Sequence, residues 1–152
     1  MKIFIGADHR GCALKEKIIN LLQKNKFNVQ DLGAFDCEKS VDYPKIAYKV
    51  AKAVTVNKTN RGILICMSGI GQAMAANKVN GAYAALCYNS QAAQLSRQHN
   101  NANILVLGAK FIKPNDIAKT VNNFLNTEFE GGRHLRRVNQ IKKIEKGLKL
   151  GN

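Results

Sequence analysis

The segment Cys66-Met67-Ser68-Gly69-Ile70-Gly71 follows the apolar run Gly62-Ile63-Leu64-Ile65 without a break. Such a run reads as a buried strand, and it delivers a thiol to its C-terminal tip. The glycine-rich turn then opens the helix-like stretch Gln72-Ala73-Met74-Ala75-Ala76-Asn77-Lys78. Backbone N–H groups at a helix N-terminus favour an anion. Only about 3% of an ordinary free cysteine is thiolate at pH 7, and a helix N-terminus or a nearby cation raises that fraction. A proton-transferring sulfur and an anion hole would then lie side by side. The plainer alternative is a buried structural cysteine before an ordinary connection.

The elements that must position this turn alternate between strand and helix. Lys2 to Ala7 reads as a strand, followed by Asp8-His9-Arg10-Gly11. Leu14, Ile18, Leu21 and Leu22 recur at helical spacing. Phe27 to Leu32 is a second strand, closed by Gly33. Pro44 starts a helix whose apolar face is Ile46, Ala47, Val50, Ala51 and Val54. Gly62 to Ile65 is the third strand, Ile70 to Lys78 a helix and Ala82 to Cys87 the fourth strand. Asn89 or Ser90 caps a helix that runs to about His99. Asn103 to Leu107 is the fifth strand, and Pro114 to Leu125 a helix. A last amphipathic helix carries Leu135, Val138, Ile141, Ile144 and Leu148, and either packs on a partner subunit or folds back on its own sheet.

Five strands alternating with helices imply one α/β domain over residues 1–152, with a mostly parallel sheet covered on both faces. Ligands bind such sheets outside the carboxyl ends of the strands. Asp8 to Gly11 and Cys66 to Gly71 belong to that edge, and His99 and the loop after Leu107 are expected to approach it. Gly69-Ile70-Gly71 is too short for a dinucleotide fingerprint, and no P-loop lysine follows.

With 45% hydrophobic residues, the 152-residue chain can bury a core. The longest apolar run is too short for a membrane span, and the N-terminus reads as a strand rather than a leader. A cytoplasmic protein is expected. Cys12, Cys37, Cys66 and Cys87 show no CxxC spacing, which argues against a zinc site. A reducing compartment argues against disulfides. The net charge of +14 attracts polyanions. However, Lys15, Lys17, Lys24, Lys26, Lys45, Lys49 and Lys52 read as outer helix faces, and the dense basic segment from Arg133 to Asn152 has no interleaved aromatics. A solvated basic face fits better than nucleic-acid binding.

The motifs, taken in order, resemble the ribose-5-phosphate isomerase B family of sugar-phosphate isomerases. They are Gly6 to Gly11, Asp42-Tyr43-Pro44, Gly62 to Cys66 with Ser68 to Gly71, Ala75-Ala76-Asn77-Lys78, Ser90, Gln94 to Asn100, Asn103, Leu107-Gly108 and Glu130 to His134 with Arg137. The resemblance implies a Rossmann-like three-layer αβα sandwich with a five-stranded parallel sheet and a C-terminal helix reaching to a partner subunit. It implies interconversion of ribose 5-phosphate and ribulose 5-phosphate through an enediolate, with no metal and no cofactor.

On that resemblance Cys66 is the base at C2, and Ser68, Gly69, Ile70 and Gly71 offer the N–H groups that stabilise the enediolate. His99 is the acid for ring opening, and Asp8 assists at the anomeric hydroxyl. His9, Arg10, Arg133 and Arg137 match phosphate ligands or their neighbours. Asn100 contacts a sugar hydroxyl, Tyr43 lines the pocket, and His134 either reaches phosphate or caps its helix. Three residues depart from the family's pattern. Met67 stands where glycine is common, Ser68 where threonine is common, and Lys110 where an arginine reaches phosphate. Met67 would distort the turn if that position needed positive φ. The expected partners are a phosphosugar and a second copy of the chain, in a homodimer or dimer of dimers. Isomerisation of six-carbon phosphosugars is the nearest alternative, and a non-catalytic phosphosugar- or nucleic-acid-binding protein a more distant one.

Overall fold

The computed structural model describes residues 1–150. Five strands, β1 (Lys2–Ala7), β2 (Asn28–Asp31), β3 (Arg61–Cys66), β4 (Ala84–Leu86) and β5 (Ile104–Gly108), form one sheet in the order β2-β1-β3-β5-β4. Every pairing is parallel. Successive side chains of a strand point to opposite faces, so each strand feeds two cores. Ile3, Ile5, Ile63, Ile65, Leu105 and Leu107 pack under α1 (Cys12–Lys24), α4 (Ser90–Asn100) and α5 (Ile117–Asn126). Phe4, Leu64, Ile104 and Val106 pack under α2 (Tyr43–Thr55) and α3 (Ile70–Ala76). Each such buried aliphatic side chain contributes about 1.5–3 kcal/mol relative to exposure.

The expected elements all form, with shifted ends. The helix expected from Pro114 begins as a single 3₁₀ turn, Pro114–Asp116, before α5. Asn89 is the cap of α4: its side chain accepts the Ala92 N–H at 2.8 Å. No helix is long and apolar enough to cross a membrane among the described residues.

The last helix, α6 (Gly132–Glu145), lies against its own chain at both ends. His134 and Val138 are buried, and Glu145 accepts the Gly81 N–H at 2.5 Å and the Tyr83 hydroxyl at 3.4 Å. Leu135, Ile141 and Ile144 of the same helix stay exposed, as does Leu148 just past its end.

Two expectations are corrected. Lys15 is not on an outer face; it is 2% exposed and pairs with Asp31 at 2.8 Å. Its Nζ also donates to the Ala34 carbonyl, so the buried charge is fully partnered. Helical periodicity marks which face a residue is on, but not a cross-element ion pair that draws a lysine inward.

The cysteines are not all free. Cys12 and Cys37 form a disulfide across 25 residues, with Cα atoms 5.5 Å apart. CxxC spacing detects only local pairs, whereas this pair is assembled by the return of the β2–α2 loop onto the first turn of α1. Cys66 and Cys87 are free. Thiol titration of the denatured, unreduced protein is expected to find two thiols per chain, and a count of four would remove the cross-link. Closing a loop of this length is worth roughly 3–4 kcal/mol on the chain-entropy account. Cys37→Ser is therefore expected to lower the melting temperature by about 10 °C.

Candidate active site

In this sheet order the chain turns outward in opposite directions from β1 and β3, which makes their carboxyl ends the switch point where open α/β sheets bind ligands. Asp8 follows β1 directly, and its N–H bonds the Ile65 carbonyl at 3.1 Å. The Asp8 carboxylate accepts the Arg10 and Gly11 N–H groups, both at 2.9 Å. A Cβ on Gly11 would stand 2.5 Å from the Ile65 carbonyl oxygen, so only glycine allows this loop to lie on β3. His9 is held by the Val41 N–H, which donates to Nδ1 at 3.3 Å, so Nε2 carries the ring proton of the neutral form. The disulfide, Lys15 and two backbone bonds, Ala7 N–H to Gly33 and Ala34 N–H to Ala7, together fix the loop that carries Val41.

Cys66 ends β3 and is 6% exposed. The Gly69 N–H donates to its Sγ at 3.0 Å. Gly69 sits at φ +85°, and any side chain there would strike Leu86. Ser68 Oγ accepts the Ile70 N–H at 3.3 Å. Beneath the turn, Ala109 N–H bonds the Cys66 carbonyl at 2.8 Å and Lys110 N–H bonds the Met67 carbonyl at 3.0 Å. Gly108 permits this stacking, since a Cβ there would collide with the Ser68 carbonyl. Tyr43 covers the turn from the other side; a Cβ on Gly71 would stand 2.6 Å from its ring. Met67 does not have positive φ and projects outward at 46% exposure, so the feared distortion of the turn does not occur.

Asp8, His9, Arg10, Tyr43, Cys66 to Gly71 and Lys110 thus share one edge. His99, Asn100, Arg133 and Arg137 do not join them, which corrects the expectation that His99 approaches this edge within one chain. The helix α4 begins after the carboxyl end of β4 and runs back. Just beyond it, Asn103 N–H bonds the Tyr83 carbonyl at 3.0 Å, and the Asn103 carbonyl accepts the Gly62 N–H at 2.8 Å. Those contacts lie at the amino ends of β4 and β3. The six residues of β3 span roughly 17 Å at about 3.3 Å per residue, so the two edges of the sheet stand about that far apart.

This second cluster is also built. Buried Arg97 donates to the Ala102 carbonyl, to Asn101 at 2.9 Å and to the Thr127 carbonyl at 3.3 Å, joining the end of α4 to the segment before α6. Burial beside Arg61 pushes its pKa down to about 10. The His99 and His134 rings stack with centroids 4.2 Å apart and planes 5° from parallel. Arg133 and Arg137, four residues apart on α6, are exposed beside them. His134 does not cap α6; it is buried under His99. Sequence reading missed Glu130 as a site residue, although it opens the motif that ends in Arg137. A hollow of about 390 Å³ between Arg61, Tyr83, Asn103 and Glu145 touches none of the expected site residues.

Residues 3–141 match the family described as Ribose/Galactose Isomerase. The chain is 46% identical over 145 residues to a probable ribose-5-phosphate isomerase B of Mycoplasma genitalium, covering 95% of each chain. It is 44% identical over 139 residues to a probable ribose-5-phosphate isomerase B of Mycoplasma pneumoniae, covering 91% of each. Among solved structures it superposes on ribose-5-phosphate isomerase B of Clostridium thermocellum with a TM-score of 0.93, at 48% identity, covering 97% of this chain and 99% of that one. The M. genitalium enzyme, solved with bound ribulose 5-phosphate, gives 0.91 at 46% identity, covering 95% and 96%.

Proposed function

The chain belongs to the ribose/galactose isomerase family, and from that premise we propose that it interconverts ribose 5-phosphate and ribulose 5-phosphate in sites shared by two copies of itself. One observation carries the reading: the Cys66 sulfur is held at the switch point by a backbone N–H, beside Asp8 and His9. The division of the remaining residues to the far edge supports a dimer, because a second copy can bring its His99 edge to the first copy's Cys66 edge. A cytoplasmic setting belongs to the same reading, since charged phosphosugars do not cross membranes unaided, although the Cys12–Cys37 disulfide is of a kind that a reducing compartment disfavours.

Isomerisation needs a ring opened, a proton moved from C2 to C1, and an enediolate stabilised between those transfers. His99 of the second copy protonates the ring oxygen while Asp8 takes the anomeric hydroxyl proton. Cys66 thiolate removes the C2 proton and returns it to C1. The Gly69 N–H is committed to the sulfur and the Ile70 N–H to Ser68, leaving the Ser68 and Gly71 N–H groups for the enediolate oxygens. His9, Arg10, Arg133 and Arg137 receive the phosphate, where guanidinium forks match its oxygens. Lys110 supplies charge without a fork. Tyr43 and Asn100 line the sugar, and Met67 borders it.

The test is an isomerase assay with EDTA present on ribose 5-phosphate, allose 6-phosphate and galactose 6-phosphate. Turnover of ribose 5-phosphate with the highest kcat/KM is expected; preference for a six-carbon sugar would reassign the substrate, and no turnover of any would reject the reading. His99→Asn is expected to slow reaction of cyclic ribose 5-phosphate far more than proton exchange at C1 of ribulose 5-phosphate, which has no ring to open. Equal losses in both would contradict the assignment of His99 to ring opening.

A further inference from the structure

Glu130 has no structural employment that the fold explains. It precedes α6, yet its carboxylate does not cap that helix. Among the described residues, its side-chain oxygen makes ion-pair contacts with two groups: His134 Nε2 at 3.5 Å and His99 Nε2 at 3.9 Å. Its backbone N–H donates to the Gln98 carbonyl at 3.1 Å, which fastens it to the turn of α4 that carries His99. Gly131 and Gly132, at φ +67° and +50°, then reverse the chain so that His134, four residues on, returns to the same place. The result is a carboxylate at the edge of two parallel imidazoles.

We propose that Glu130 is a positioning residue for His99: its carboxylate and the stacked His134 ring together fix the imidazole in the orientation from which it reaches the ring oxygen of a phosphosugar held by a second copy. The charges around the pair suit this division. Facing it are Glu130 from the preceding segment and Arg133 and Arg137 from α6. Burial, then His99, Arg133 and Arg137, hold the His134 imidazole below its ordinary pKa, against an upward pull from Glu130. The His134 ring lies flat against His99, with centroids 4.2 Å apart, and so limits how the His99 ring can turn. Arg133 Nε stands 3.5 Å from His134 Nε2. The Glu130 carboxylate lies 3.5 Å from His134 and 3.9 Å from His99, so it touches both rings of the stack.

This proposal rests on the isomerase reading, and two measurements separate their failures. The first needs no turnover: the imidazole ¹⁵N resonances of His99 in the full-length enzyme, recorded for wild type, Glu130→Gln and His134→Phe. Glu130→Gln is expected to move the His99 signals while leaving those of His9 in place. Unmoved His99 signals would overturn the proposal whether or not the enzyme isomerises ribose 5-phosphate. The second is kinetic. Glu130→Gln is expected to lower kcat for ribose 5-phosphate by about 10- to 100-fold, the scale of a misplaced reacting group, with C1 proton exchange in ribulose 5-phosphate unchanged. Glu130→Asp, which keeps the charge, is expected to recover part of the loss. In a His99→Asn background Glu130→Gln is expected to cost nothing further. A loss that persists there, or that falls equally on C1 exchange, would make Glu130 a structural residue and overturn the proposal.

Discussion

Cys66→Ala is expected to lose isomerase activity by at least about 10²- to 10⁴-fold, the range for removing a general base, with its fold and oligomeric state unchanged. The side chain is buried, but its one directed contact is the Gly69 N–H. Losing the sulfur therefore leaves a single donor unpaired in a loop that is also fastened by Ala109, Lys110 and the glycine contacts beneath it. No carboxylate lies between Met67 and Asn80 to take over the proton. Stopped assays over hours and a circular dichroism melt would check both halves of the expectation. Turnover near that of wild type would remove Cys66 from the chemistry and leave it a structural cysteine.

The second large effect is expected at the phosphate. Arg137→Ala should raise KM by roughly 10- to 100-fold, because a charge-assisted hydrogen bond is worth about 1.5–3 kcal/mol. Arg133→Ala/Arg137→Ala should exceed either single variant. Both side chains are exposed in one chain and make no ion pair there among the described residues, so their loss has little to disturb except a ligand. Initial rates across substrate concentration would separate KM from kcat. An unchanged KM would return these arginines to the solvated basic face that the net charge alone suggests.

The alternation of period-2 and period-3.6 segments made the sheet and its helices legible, because each strand and each helix buries a continuous apolar face. The Cys66 turn was legible for a local reason as well. Gly69 at positive φ and Gly71 and Gly108 beneath neighbouring groups are the only residue type those positions accept. What sequence spacing did not show is arrangement across elements. Lys15 sits at a helix position like any surface lysine until β2 places Asp31 beside it. Cys12 and Cys37 meet only after the chain has made a strand and turned back. The same blindness explains His99. Its motif names a catalytic type, but the direction in which α4 returns along the sheet decides which edge it occupies. Glu130 escaped notice because an exposed glutamate before a glycine pair looks like solvent-facing charge until the two imidazoles are seen against it.

The central claim is that each site takes Cys66 from one copy and Arg133 and Arg137 from another, and mixing two impaired variants, assayed at substrate well below the KM of the arginine variant, tests it most directly. Cys66→Ala and Arg133→Ala/Arg137→Ala would be combined in equal amounts under conditions shown by mass spectrometry to exchange subunits. In a two-fold dimer, half the molecules are then mixed and each carries one intact site, so activity should recover to about a quarter of wild type. Demonstrated exchange with no recovery would place the sulfur and the arginines of one site in the same chain, and would contradict the shared site.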